Sequence, residues 1–402
     1  MIVFIIRYML KSMNSQGKRF NNVYKQIFMD HWPSFKREYP WFDNDYYDSL
    51  VEKLLGCGQP KKMGYAEYQC THCGLGYRIV PMSCKSYLCL SCAKSKIDNW
   101  ISQVSMMLHP GMIYRHIVLT APEVLQNYFF NNHKLLQKLP QCGASCLDSL
   151  FSMIKRKAII GGYIVVLQTH GRSGNYNVHL HIVSTSGGMD KSDNFNLIKY
   201  LKYELLHKKW QEFLLNFIAG ELGASASDVV YYCRKIYPNG FVAYIDDSNV
   251  PARFDSLAKY LAKYVVAPPI SIRRIDSYDG KTVTYHYKSH KTDRVEKETV
   301  PVLVFMNRIV QHVMPKGFKN IRHFGLQAGC KYKKIREKLR KALLKAGLVI
   351  RNAVRIIGRK KYKDAYFEVS GKNPILCPFC RNEMELWRLW HPKYGIFYEG
   401  FV

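Results

Sequence analysis

Two Cys-x2-Cys pairs, Cys70-Thr-His-Cys73 and Cys89-Leu-Ser-Cys92, stand fifteen residues apart and constrain this chain more than any other feature. The stretch from about 65 to 95 is rich in Cys, Gly and Tyr, and is too short and irregular to close a hydrophobic core of its own. A bound metal is what can hold such a segment together. Each pair closes a tight turn that aims two thiolates at one ion, and two such turns complete a tetrahedron. The spacing falls within the zinc range. The expectation is one structural Zn2+ on Cys70, Cys73, Cys89 and Cys92, with Cys84 and His72 near enough in sequence to stand in for one ligand. The competing reading is four unrelated buried thiols. An all-thiolate site keeps no position open for a substrate, so the module is assigned to binding or orientation rather than to chemistry. Cys377-Pro-Phe-Cys380 has the form of half a second knuckle, which His391 or Cys330 could complete, or of a turn without metal.

Charge points to the partner. Lys and Arg number 60 against 30 Asp and Glu, a formal net charge of +30 spread along the chain. Such a surplus is costly in self-repulsion unless a polyanion uses it, and nucleic acid is the commonest polyanion. A basic, solvated surface without a specific role is the alternative. The 29 tyrosines often stand beside basic residues, as in Tyr332-Lys333-Lys334 and Lys360-Lys361-Tyr362. That interleaving suits single strands, whose bases stack on rings while phosphates meet cations. It is a weak signal alone, because many tyrosines simply straddle core and solvent. No run approaches the roughly 20 apolar residues that span a bilayer, so no membrane role is expected. Met1-Ile-Val-Phe-Ile-Ile6 is too short for the apolar core of a signal sequence. The expected setting is intracellular, where the 12 cysteines are metal ligands or buried thiols rather than disulfides.

Helical patterns run from about Val23 to Phe35 and from Tyr46 to Leu55, broken by Gly56-Cys-Gly-Gln-Pro60. From about residue 110 the pattern becomes mixed. Strands are expected at 113–120, 163–169 and 178–183, with helices near 121–138, 143–158, 195–221, 254–266, 302–313 and 331–346. A strand pair is expected to flank the Asp279-Gly280 turn. Hairpins separated by helices predict an α+β fold with a central antiparallel sheet flanked by helices.

His179-Leu-His181 lies on an expected strand, where residues two apart share a face, so both imidazoles point the same way. Two converging histidines can hold a divalent metal if a third ligand stands nearby. His170 at the end of the preceding strand is placed for that, with Gln168 as the alternative. An isolated pair of this kind is more often two surface histidines. Tyr260-Leu-Ala-Lys-Tyr264 falls in a helical pattern, so both hydroxyls share a face with Lys263 alongside. Taken alone, that stripe is more often packing. A phenol with a pKa near 10 is a poor nucleophile at neutral pH, and a metal on the scissile phosphate helps it by withdrawing charge.

Together these pieces resemble the HUH endonucleases, named for His-hydrophobic-His, and specifically the two-tyrosine rolling-circle insertion-sequence transposases. The carriers are Ser83-Cys-Lys-Ser-Tyr-Leu-Cys-Leu-Ser-Cys92, His116-Ile-Val-Leu-Thr-Ala-Pro122, Gln168-Thr-His-Gly171 and Val178-His-Leu-His-Ile-Val183. Tyr260-Leu-Ala-Lys-Tyr-Val-Val-Ala-Pro-Pro-Ile270 and Met314-Pro-Lys-Gly-Phe-Lys-Asn-Ile-Arg-His-Phe-Gly325 complete them. That family often has an Arg-His-Cys-Pro-x-Cys run where this chain has Tyr87-Leu-Cys-Leu-Ser-Cys92. The resemblance implies an N-terminal helical region at 1–64, a zinc-binding domain at 65–108, an HUH catalytic domain at 109–330 and a basic C-terminal extension at 331–402. It implies Mg2+ or Mn2+ on His179 and His181, with His170 as third ligand. Tyr260 or Tyr264 would attack single-stranded DNA at an element end, leaving a 5′-phosphotyrosine and a free 3′-hydroxyl, and target DNA would be the second substrate. A cytoplasmic, nucleoid-associated setting in a prokaryotic host goes with it. The alternatives are an HUH replication initiator or relaxase, or a catalytically inactive zinc-dependent DNA-binding protein.

Overall fold

The computed structural model describes residues 18–246, 269–289, 292–329, 332–347, 363–364, 366–367 and 373–400. The helix expected at 254–266 lies outside the described residues. Three antiparallel sheets with flanking helices confirm the α+β class.

The central sheet runs β11-β4-β5-β3-β7, with β3 Tyr114–Thr120, β4 Ile160–His170, β5 Tyr176–Met189, β7 Ala243–Asp246 and β11 Ile321–Gly325. A short β6, Phe195–Leu197, pairs with the far end of β5. Strand alternation gives each face its own chemistry. Ile117 and Leu119, Val165 and Leu167, and Leu180 and Ile182 point to one side, where they pack with helices α4, His133–Lys155, and α5, Tyr203–Leu222. Ile164, Val166 and Val183 point to the other, against α3, Leu90–Met107, and α8, Tyr332–Lys345. The β-branched and aliphatic composition of these strands suits a sheet covered on both faces.

Two helical expectations change in detail. The stretches expected at 121–138 and 143–158 become short turns followed by one helix, α4, that runs through Pro140. An interior proline costs about 3 kcal/mol. Burial of Leu135, Leu136, Leu139, Leu147, Leu150 and Phe151 offsets it, at about 1.5–3 kcal/mol for each large side chain. Asn132 caps the helix, its side chain accepting from the Leu135 N–H at 3.0 Å. The helix expected from 195 instead begins at Tyr203, because Phe195–Leu197 is drawn onto the edge of β5. Contrary to the expectation of no apolar span, Tyr203–Ile236 is long and apolar enough by length and composition to cross a membrane. Its Leu206, Trp210, Leu214, Leu215 and Ile218 are buried in the core under the sheet instead.

A second core gathers parts that are distant in sequence. Helices α1, Lys18–Glu38, and α2, Asp45–Gly56, pack with a meander of β8, Ile275–Tyr278, β9, Thr282–Lys288, and β10, Val295–Pro301, and with helix α7, Val302–Val310. Tyr47 donates to the Val313 carbonyl at 2.9 Å and ties α2 to the end of α7. The third sheet joins residues 65–81 to residues 385–399. Its order is β13-β12-β1-β2, with β1 Tyr65–Gln69, β2 Tyr77–Pro81, β12 Glu385–His391 and β13 Gly395–Glu399.

Candidate active site and metal centres

The register of the central sheet explains why three side chains meet. Gln168 on β4 stands directly across from His179 on β5, and Val166 across from His181. On the other flank of β5, β3 sets Thr120 opposite His179 and Val118 opposite His181. Gln168, His179 and His181 therefore share one face. Gln168 Oε1 lies 3.1 Å from His179 Nε2 and 3.1 Å from His181 Nε2, and the two Nε2 atoms are 3.1 Å apart. Neighbouring ligands of an octahedral cation with bonds of about 2.1 Å stand ~3.0 Å apart, so the trio has the dimensions of one face of such a site.

The donor set fits a cation as well as the spacing does. His179 Nδ1 donates to the Asn177 carbonyl at 2.8 Å, which leaves a lone pair on Nε2. His116 Nε2 lies 2.9 Å from His181 Nδ1, with the two rings stacked at 5.2 Å. With His116 as acceptor, His181 also turns a lone pair inward. Two imine nitrogens and an amide oxygen then converge, three acceptors that repel unless a cation lies between them. Burial holds both imidazoles below their usual pKa. His181 is depressed furthest, by burial first and then by His179, His116 and His170. Neutral imidazole is the form that binds metal.

The third atom at this point is Gln168 Oε1, in place of the expected His170. The register shifts by one residue between Gln168 and His170, the extra residue falling on β5 between Tyr176 and His179. His170 instead packs edge-on against His312, with ring centroids 5.5 Å apart. His312 Nε2 donates to the Gly174 carbonyl at 3.1 Å, and its Nδ1 faces the Thr169 hydroxyl at 3.0 Å. A cleft of about 440 Å³ opens beside these groups, lined by Gln168, His170, His312, Lys319, Tyr87 and Pro269 among others. Sequence reasoning gave His116 no role. Its signal was its place in β3, two residues before Val118 on the same face as the imidazoles. Tyr260, Lys263 and Tyr264 lie outside the described residues.

The cysteines divide differently from the expectation. Cys89 and Cys92 do not meet Cys70 and Cys73. They join Cys57 and Cys84, with Cys57–Cys92 Sγ atoms at 3.7 Å, Cys84–Cys92 at 3.6 Å and Cys57–Cys89 at 3.6 Å. Edges of a ZnS4 tetrahedron with Zn–S of about 2.3 Å are ~3.8 Å. Cys89 and Cys92 sit at the start of α3, and Cys57 follows the end of α2. The cluster thus links two helices. Cys70 and Cys73 join Cys377 and Cys380 in a second group. Spacing in the chain suggested a single site because both C-x2-C pairs are adjacent in sequence, whereas their partners are not.

The sequence is similar to those of known proteins. The family described as "Putative transposase" matches residues 162–335, and the IS91 "Transposase zinc-binding domain" matches residues 27–121. A transposase for insertion sequence element IS801, from Pseudomonas savastanoi pv. phaseolicola, is 29% identical over 290 residues, 69% of this chain and 69% of that protein. "Putative transposase y4qJ" of Sinorhizobium fredii is 24% identical over 330 residues, 77% of this chain and 81% of that protein. No solved structure matches the chain. A sheet bearing the imidazole pair, joined to a zinc-binding module, is here the framework of an insertion-sequence transposase. The chain is a transposase, similar in its zinc-binding domain to those of the IS91 type and along much of its length to the IS801 transposase.

Proposed function

We propose that this transposase cleaves and rejoins single-stranded DNA through Tyr260 and Tyr264, with Mg2+ or Mn2+ held by His179, His181 and Gln168, during rolling-circle transposition. The observation that carries this reading is the convergence of three acceptor atoms 3.1 Å apart beside an open cleft. When bound, the ion neutralises charge on the scissile phosphate. The residues of the chain do the rest. His116 and the Asn177 carbonyl fix the two imidazole tautomers. Lys319, on the cleft wall, suits a flanking phosphate. Pro269 also lines the cleft, five residues along the chain from Tyr264.

In the cleavage step the phenol oxygen bonds to phosphorus and the P–O3′ bond breaks. The phosphoryl group stays on tyrosine as a 5′ link, and the phenol's proton ends on the departing 3′-hydroxyl. Bond energy kept in the tyrosyl ester allows rejoining without ATP. A second tyrosine allows another cleavage while the first remains loaded, with Lys263 beside both to favour the phenolate. The structural zinc module would orient the DNA.

Covalent capture tests the reading. Purified protein is mixed with labelled single strands from the element's ends, with Mn2+ or with EDTA, and run on a denaturing gel. A metal-dependent adduct mapping to Tyr260 or Tyr264 is expected. Full transposition by the double phenylalanine variant, or the absence of any adduct with cognate ends, would overturn it.

A further inference from the structure

The second cysteine group is built as carefully as the first, although its halves lie at opposite ends of the chain. Cys70 and Cys380 Sγ atoms are 3.4 Å apart, Cys70 and Cys73 3.6 Å, and Cys73 and Cys377 3.6 Å. None approaches the ~2.05 Å of a disulfide, and all are near the edges of a ZnS4 tetrahedron. The two turns match. Gly74 N–H bonds to the Cys70 carbonyl at 3.0 Å, and Arg381 N–H to the Cys377 carbonyl at 3.1 Å. The residue after each pair is left-handed, Gly74 at φ 69 and Arg381 at φ 63. For Arg381 that conformation is strained, and it persists only where its surroundings impose it.

Two further observations tie the halves together. A Cβ on Gly76 would stand 2.4 Å from Cys377 Sγ and 3.0 Å from Cys70 Cβ, so the backbone closes over the thiols where only glycine fits. The strands leading from the turns are also paired, β1 with β12, from Tyr65 opposite Trp390 to Gln69 opposite Glu385. Tyr65 and Trp390 stack at 5.2 Å, and Arg388 reaches the buried Glu67 carboxylate at 3.8 Å.

We propose that Cys70, Cys73, Cys377 and Cys380 bind a second structural Zn2+, which clasps residues 373–400 to residues 65–81 and makes the carboxyl-terminal segment part of the zinc module. This site is separate from the Cys57, Cys84, Cys89 and Cys92 cluster and independent of the tyrosine chemistry.

Metal content of the full-length protein, by inductively coupled plasma mass spectrometry, tests it. Two zinc ions per chain are expected in the wild type and one in Cys377→Ser with Cys380→Ser. Cys380→His, which leaves a Cys3His set, should return the count to two. Cobalt substitution provides a readout confined to thiolate sites: sulfur-to-cobalt charge-transfer absorption per chain should halve in the double serine variant. Gly76→Ala should lose one ion to a chelator before the other. One zinc in the wild type, or unchanged thiolate absorption in the double serine variant, overturns the proposal. If the double variant fails to fold, the wild-type cobalt absorption per chain decides between one tetrathiolate site and two.

Discussion

His179 and His181 share a face of β5 because a strand repeats every two residues, and each turns its Nε2 toward Gln168 Oε1. From the sequence, His170 is the expected third ligand by its place at the end of the preceding strand, with Gln168 as the alternative. The extra residue that shifts the register here falls on β5 between Tyr176 and His179, nothing in the local composition marks it, and Gln168 Oε1 is the atom that stands 3.1 Å from both Nε2 atoms. The third ligand can be tested residue by residue. Gln168→Ala is expected to weaken Mn2+ binding about tenfold or more, whereas His170→Ala should have the smaller effect, as followed by electron paramagnetic resonance titration. The reverse ranking would return the third position to His170. His116→Phe keeps the stacked ring but removes the nitrogen that faces His181 Nδ1. Loss of such an orienting partner typically costs roughly 10–100-fold in metal affinity, and His116→Gln should recover part of it.

Three of the six strands of the central sheet, β3, β4 and β5, were readable from their apolar or alternating patterns, whereas β6, β7 and β11 were not. Where an element departed from local propensity, a distant partner decided it, as when β5 captured Phe195–Leu197 from an expected helix. The close approach of α4 to the sheet depends on Gly143, where a Cβ would lie 2.6 Å from Leu180 Cδ1 and 3.3 Å from Ile182 Cδ1. Gly143→Val should lower stability by about 1–3 kcal/mol through overpacking, measurable by urea unfolding. His312 joins α7 to the β4–β5 hairpin, and burial, with a smaller contribution from His170, lowers its pKa to about 3. In the unfolded chain its pKa is ~6.5. The unfolded state therefore takes up the proton first. The contribution of neutral His312 is full above ~6.5 and is lost as pH falls toward 3, by about 1.4 kcal/mol per unit. Between pH 7 and pH 5 the wild type should lose roughly 2 kcal/mol more than His312→Gln. Equal losses would show that His312 does not carry this dependence.

At the scale of the molecule, the net charge of +30 is the feature composition made plain. DNA binding should fall steeply with salt, by roughly 10³ or more between 50 and 200 mM if six or more phosphates are engaged. A filter-binding titration that came out flat with salt would exclude that mode. The partition of the chain was far less legible. Residues 275–310 pack with the first two helices, and 385–399 pair with 65–81, so neither core is a contiguous segment. Periodicity reports which face of an element is apolar. It carries no address for a partner hundreds of residues away, and the nearest matching cysteines in sequence were the wrong ones.

The joining of β1 to β12 also sets a timetable. A ribosome moving at about 5–20 residues per second needs roughly 15–60 s to travel from one half of this sheet to the other, a gap of 310 residues between Cys70 and Cys380. During that interval the edge of β1 and two thiols have been made while their counterparts have not. A transcript cut short between His181 and Cys377 yields a chain that holds the imidazole pair yet lacks two of the four thiols of that cluster. Closure of that sheet waits on residues 385–399, and a chain that stops before them leaves β1 paired with β2 alone.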